Sequence, residues 1–389
     1  MHNKLPTWPY FAEDEIQAVT RVLSSGKVNY WTGEECKLFE KEFANFTGCS
    51  HAISLANGTL ALELALYALG IGSNDDVVVP SRTFIASASA VVARGAKPIV
   101  ADIDLSSQNI TVATIEQVLT PNTKAIIVVH LAGWSCDMQP ILEFATKHNL
   151  KVIEDCAQAH GAQYFGKQVG SFGDAAAFSF CQDKIMTTGG EGGMLTTNNA
   201  EIWQRAWSYK DHGKNPNKAL IPGSQTGFRW LHESFGSNFR MTEIQAAIGR
   251  IQLKKLPAWL ATRERNANLF RSGLQKIAAL QLTDPPLHIK HAYYKYYAFL
   301  KPEMLRPTWN RERIVKEINV LGVPCGFGSC GEIYLEKAFT SAGLQPKERF
   351  VNAHKLSETS LMFLVHPTLK EEDITYMCSV INDVFGEAQ

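Results

Sequence analysis

A chain of 389 residues, 45% apolar and 20% charged, has material for a large domain and a smaller one around a sizeable core. Lys+Arg and Asp+Glu both number 38, so the formal charge is zero. That leaves no electrostatic case for nucleic acid or an anionic membrane as the main partner, and it leaves room for a small-molecule site built from local donors. The eight cysteines include no C-x-x-C pair, and Cys325 and Cys330 have no His or Cys cluster beside them, which argues against a zinc site. The first residues lack the apolar core of a signal peptide. Runs such as 125–129 are too short to span a bilayer. The expectation is a cytoplasmic protein with free thiols.

Residues 1–50 read as a leading arm and two helical stretches. One is 13–23, with Ile16, Val19 and Val22 or Leu23 on one face. The other starts after Gly33 and carries Phe39, Phe43 and Phe46 at helical intervals. From 51 to about 200, short strand-like runs at 52–55, 77–80, 98–103, 125–129, 152–154 and 175–180 alternate with helical patterns at 59–69, 86–94, 114–119 and 138–148. This alternation predicts an α/β fold, a mostly parallel mixed sheet flanked by helices. In such sheets ligands sit beyond the carboxyl ends of the strands, so the residues just after each strand carry the information.

After 52–55 come Asn57, Gly58 and Thr59, which open a helix. Free N–H groups there suit a phosphate, although an ordinary cap by Asn57 explains the same residues. After 77–80 comes Phe84, placed to stack on a planar ligand or to serve as core. Glu154 and Asp155 interrupt an apolar run at the end of 152–154, where a carboxylate needs a cationic partner or a capping role. Gln158 follows. Ser179 ends the run 175–180. Lys184 then sits in a short polar segment closed by Gly189, Gly190, Gly192 and Gly193 and a second strand-like run, 194–197. A lysine hemmed in this way is either a solvated turn residue or a desolvated amine suited to Schiff-base chemistry.

Residues 200–207 read as a helix, followed by a long polar and aromatic loop, 211–237, of the kind that is usually functional. Asn238 leads through Arg240 and Met241 into a capped helix, 242–253. From about 259 the texture changes. A basic helix at 263–277, a strand at 293–300 and helices at 311–321 and 371–385 predict a smaller α+β domain. The expected division is 1–258, a cofactor-binding domain with its arm, and 259–389.

Lysine for a Schiff base, an acid for a protonated ring nitrogen, an aromatic for the ring and N–H donors for a phosphate are what pyridoxal 5'-phosphate requires. Here the sequence resembles the DegT-type sugar aminotransferases, fold-type I enzymes dependent on that cofactor. The motifs ANGTLALELALYALGIG, VVVPSRTFIASASAV, VIEDCAQAHGA, AFSFCQDKIMTTGGEGGM and NFRMTEIQAAIGRIQLKKL occur in the family's order. The resemblance implies Lys184 as the Schiff-base lysine, Asp155 opposite the ring nitrogen, Gln158 on the ring hydroxyl and Phe84 on the ring face. It implies Gly58, Thr59 and Ser179 at the phosphate, and Asn238 at the phosphate of a partner subunit, hence a homodimer with shared sites. The implied reaction takes an amino group from L-glutamate to a ketosugar for lipopolysaccharide or other surface polysaccharide.

Relatives with histidine in place of the lysine carry out dehydration, so Lys184 favours transamination over a dehydratase or lyase. An intact Lys184, Asp155 and Gln158 argue against a cofactor-binding regulatory protein. The chain departs from the family at Ser237, at Cys181 to Asp183, at the extra glycine of TTGGEGG and at GFRWLHESFG, 227–236. The CQDKIMTTGGEGG and GFRWLHESFG segments resemble those of the branch that makes 8-amino-3,8-dideoxy-octulosonate. The acceptor is therefore either a nucleotide-linked ketohexose or 8-oxo-3-deoxy-octulosonate.

Overall fold

The computed structural model describes residues 5–219 and 231–389. Two N-terminal helices, α1 (Glu13–Ser25) and α2 (Glu35–Thr47), precede a seven-stranded sheet. Its strands are β1 (His51–Leu55), β2 (Asp76–Pro80), β3 (Lys97–Ala101), β4 (Thr123–Val129), β5 (Lys151–Asp155), β6 (Ala175–Ser179) and β7 (Gly193–Thr197), in the spatial order β1-β7-β6-β5-β4-β2-β3. Only β7 runs against its neighbours; all other pairings in the sheet are parallel. The strands fall within a residue or two of the runs read from the sequence, because strands buried on both faces are short and nearly continuously apolar.

The connecting helices are α3 (Gly58–Ala68), α4 (Ala86–Ala93) and α5 (Met138–Lys147), as expected. The stretch 114–119, read as helical, forms only the short turn Val112–Glu116. Helix α6 (Ala200–Lys210) outlasts its predicted end. Part of the loop 211–237 is ordered by a short helix, Pro216–Ala219, and by bridges of Asp211 with Asn238 and Lys214 with His232. Of the segment 227–236, residues 227–230 lie outside the described residues.

The two helices expected at 242–253 and 263–277 are one. Helix α7 (Glu243–Leu274) runs on through Pro257, which lacks the N–H that a helix interior uses. The cost of about 3 kcal/mol is offset by burial on both sides of the proline. Leu253 and Leu256 belong to the core under the main sheet, while Ala267, Phe270 and Leu274 belong to a second core. The change of texture at 258/259 thus falls inside a continuous helix. Thr242 caps it, with Thr242 and Gln245 bonding each other's backbone N–H groups at 2.9 and 3.4 Å.

The second core lies against an antiparallel sheet of β8 (Leu280–Leu282), β9 (Tyr296–Leu300), β10 (Cys325–Gly326) and β11 (Ser360–Phe363), in the order β8-β9-β11-β10. Helices α8 (Arg311–Val320), α9 (Val351–Thr359) and α10 (Glu371–Ala388) accompany it. Residues 293–295, expected in a strand, instead belong to a segment that clamps the main sheet's rim: Ala292 N–H donates to Gly133 O at 2.9 Å and Tyr294 N–H to Ala132 O at 2.8 Å. This carries Tyr294 and Lys295 from the small sheet to the mouth of the large one. No described helix is long and apolar enough to cross a membrane.

Candidate active site

The carboxyl ends of β1, β2, β5 and β6 open on one cavity of about 770 Å³, and Gly58, Thr59, Phe84, Asp155, Gln158, Ser179 and Lys184 all line it. Asn238 does not line it; that residue is exposed, held by its bridge to Asp211.

Alternation along β5 accounts for the paired acids, since neighbouring strand residues face opposite sides. Glu154 turns away from the cavity. It accepts the N–H groups of Gly170, Phe172 and Gly173 at 2.7–2.8 Å and lies 3.0 Å from His130 Nε2. Burial alone raises its pKa, but His130 and these N–H groups outweigh burial and hold it below the usual range. Asp155 faces the cavity. Its carboxylate accepts the Ser87 hydroxyl at 2.9 Å and the Ala157 N–H at 3.1 Å, and Thr83 backs Ser87 at 3.0 Å. Burial pushes Asp155 above the usual carboxylate range, with those two donors and the Lys184 charge opposing. Among the described residues no cation forms an ion pair with this buried carboxylate.

Gln158 is fixed by its carbonyl oxygen, which accepts the Ala132 N–H at 2.8 Å. Its NH₂ group is thereby left for the cavity. Ala132 adopts a left-handed backbone, φ 57°, uncommon for alanine and held by the clamp to Tyr294. Lys184 is half-buried. Its Nζ lies 5.0 Å from the Tyr294 ring centroid, and its carbonyl oxygen accepts the indole N–H of Trp8 at 2.8 Å. The leading arm therefore pins the lysine's backbone.

At the other end of the cavity, α3 begins. Asn57 does cap it, accepting the Leu60 N–H at 2.9 Å. The cap leaves the N–H groups of Gly58 and Thr59 at a helix N-terminus, where an anion is favoured. The cap reading is borne out, and the capped turn leaves room for an anion beside it. Gly58 is required by close approach rather than by its φ: a Cβ there would lie 2.6 Å from Ser179 Cβ and 3.0 Å from Ser179 Cα. Gly189 and Gly190 answer a different need, with φ of 88° and 119°. Cys181, Asp183 and Glu191, from the segment that departs from the family pattern, are cavity wall. Tyr294 and Lys295 are lining residues that the sequence reading passed over, since they stand in a run of strand-like aromatics.

Residues 9–382 match the DegT/DnrJ/EryC1/StrS aminotransferase family. The chain belongs to that family. As a member, the aminotransferase depends on pyridoxal 5'-phosphate and has the fold-type I architecture. It is similar to GDP-perosamine synthase of Caulobacter vibrioides, 45% identical over 287 residues and 73% of each chain. It is also similar to the dTDP-3-amino-3,6-dideoxy-alpha-D-galactopyranose transaminase of Aneurinibacillus thermoaerophilus, 42% identical over 279 residues, 71% of this chain and 73% of that one. Among solved structures, an aminotransferase from Psychrobacter cryohalolentis superposes with a TM-score of 0.96 at 52% identity, covering 98% of this chain and 99% of that one.

The donor set of the aminotransferase's cavity fits the cofactor. Helix N–H groups suited to an anion lie at the start of α3, a buried acid with no ion pair among the described residues lies at the end of β5, and an amine and an amide NH₂ line the same cavity. Gly58→Ala tests those N–H groups as an anion cradle. The added methyl cannot be relieved by a flexible side chain, so α3 must shift from Ser179, a strain of about 1–3 kcal/mol. The expected result is a cofactor affinity lowered by roughly 10- to 100-fold, read from the cofactor absorbance retained on dilution. Full retention would show that the contact is not part of the cradle.

Proposed function

We propose that this enzyme transfers an amino group from L-glutamate to the keto group of a sugar, with a nucleotide-linked ketohexose as acceptor, in surface polysaccharide synthesis. The observation that carries the reading is the convergence of Lys184, Asp155, Gln158 and the α3 turn on one cavity, in a chain whose relatives include a GDP-perosamine synthase and a dTDP-amino-sugar transaminase.

Bound pyridoxal phosphate supplies an electron sink and a carrier for the amino group. Gly58 and Thr59, through backbone N–H groups, and Ser179, through its hydroxyl, would hold its phosphate. Asp155 would keep the ring nitrogen protonated, its buried carboxylate pairing with the pyridinium where no described cation pairs with it. The Gln158 NH₂ would donate to the ring hydroxyl, and Phe84 would cover the ring face. Lys184 would hold the cofactor through its ε-nitrogen. Released from that bond, Nζ accepts the proton lost from the donor's amino-bearing carbon and returns one to the acceptor's keto-bearing carbon. Asn238, exposed on this chain, would serve the phosphate of a second copy, which makes the working form a homodimer.

Mixing the yellow holoenzyme with L-glutamate tests the donor. The cofactor band should shift as 2-oxoglutarate appears in equal amount, and an unchanged spectrum overturns the reading. Offering nucleotide-linked ketohexoses beside 8-oxo-3-deoxy-octulosonate then tests the acceptor. Turnover confined to the octulosonate would reassign it.

A further inference from the structure

Among the described residues, two lysines line the active cavity, Lys184 and Lys295. Lys184 is committed to the chemistry. L-glutamate brings two carboxylates into this space, and a carboxylate drawn out of water needs a cationic or N–H partner. Lys295 stands where the active cavity meets a second chamber of about 310 Å³, and it lines both. Its side chain is 16% exposed, and its ammonium has no hydrogen-bond acceptor among the described residues. Asp183 Oδ2 lies 3.9 Å away and already accepts the Tyr294 hydroxyl.

The wall of the second chamber holds Arg263, fully buried. One nitrogen, Nη1, donates to the carbonyls of Tyr293 and Tyr294 at 3.2 Å each, while Nε has no partner. No described carboxylate pairs with this guanidinium, whose other neighbour is the Trp8 ring at 5.4 Å. A buried cation with no carboxylate paired directly to it is costly, and here the Asp183 charge only partly compensates. Burial lowers Arg263 to about 9 and Lys295 to about 8, and the Arg263 and Lys184 charges press further on Lys295 against the pull of Asp183. An anion entering here would relieve both groups. Lys184 lines the active cavity, Arg263 the second chamber and Lys295 both, and among the described residues Asp183 is the single acid that lines both.

We propose that Lys295, backed by Arg263, forms a carboxylate subsite at the junction of the two chambers. The subsite deepens the donor reading above: it takes the side-chain carboxylate of L-glutamate, and an acidic group on the acceptor is the other source of the same anion. Lys295 touches the substrate, and Arg263 acts through the field at its back.

The test uses the holoenzyme and Lys295→Met, with Lys295→Arg as the conservative variant. Glutarate, a dicarboxylate with no amino group, probes the subsite without turnover. Calorimetry should find its binding weakened about 10- to 100-fold in Lys295→Met and largely kept in Lys295→Arg, the scale of one charge-assisted hydrogen bond. In the donor half-reaction, the L-glutamate concentration at half-maximal rate should rise by the same factor, with the maximal rate little changed. A rise confined to the acceptor half-reaction keeps the subsite and assigns its anion to the acceptor. Unaltered glutarate affinity, with both half-reactions unaltered, overturns the proposal. Wild-type enzyme inert towards L-glutamate overturns the donor reading alone, since the glutarate measurement still judges the subsite.

Discussion

Replacing Lys184 by alanine abolishes transamination, with turnover expected to fall by at least about 10⁴-fold. The expected fall is large because the proposed role gives one atom, Nζ, two tasks, the cofactor's attachment and proton transfer for both substrates. The loss is chemical rather than structural. The lysine's backbone N–H donates to Cys181 O at 3.1 Å and its carbonyl oxygen accepts from Trp8 at 2.8 Å, and neither bond uses the side chain. Nζ itself lies 5.0 Å from the Tyr294 ring centroid and makes no hydrogen bond among the described residues. The cofactor-free variant should therefore melt within a few degrees of the wild type while losing the yellow colour. Borohydride reduction of the wild-type holoenzyme followed by peptide mapping should place the label on Lys184. A label elsewhere, or a variant retaining a hundredth of the activity, would sink the assignment.

The sheet and the strand-end residues were legible because they follow local rules. Each of β1 to β6 is a short apolar run, and the parallel connection puts the next few residues at the ligand end. Asp155 shows the rule in its sharpest form. Two acids in succession at the end of an apolar strand must face opposite sides, and the structure gives Glu154 three backbone donors on one side while Asp155 turns to the cavity. What escaped depends on tertiary contact. Pro257 stays inside α7 because two cores grip the helix on either side of it, which no window of sequence displays. Lys295 stands in YYKYYAFL, where the aromatic run reads as strand. It reaches the active cavity only because residues 292–294 bond to the rim at 132–133. Arg263 reads as one cation on a basic helix, and the unpartnered Nε of its buried guanidinium is visible only in three dimensions.

Asp155→Asn should lower turnover by about 10²- to 10⁴-fold while making the cofactor-free protein more stable at neutral pH. The two effects have one cause, the negative charge. An asparagine fits the site, because its oxygen can accept the Ala157 N–H. Its NH₂ can donate to Ser87 Oγ, whose own proton then turns to Thr83 Oγ1, 3.0 Å away. Geometry is kept and charge is lost, so under the proposed role of Asp155 the ring nitrogen of the bound cofactor would lose its counter-ion and the electron sink would weaken. In the absence of cofactor the same charge is a burden. Burial raises the carboxyl's pKa in the folded protein above the ordinary value of 3.8, so between the two values the folded state binds more protons than the unfolded one. Stability from this group is then fully present below pH 3.8 and is lost as pH rises through the folded pKa. Asparagine does not titrate and escapes that loss. Denaturant titrations of both cofactor-free proteins between pH 4 and 8 should accordingly start close together and diverge in favour of the variant. A variant less stable than the wild type at pH 8, with activity within about tenfold, would mean that Asp155 is a structural acid and that the ring nitrogen is served by another group.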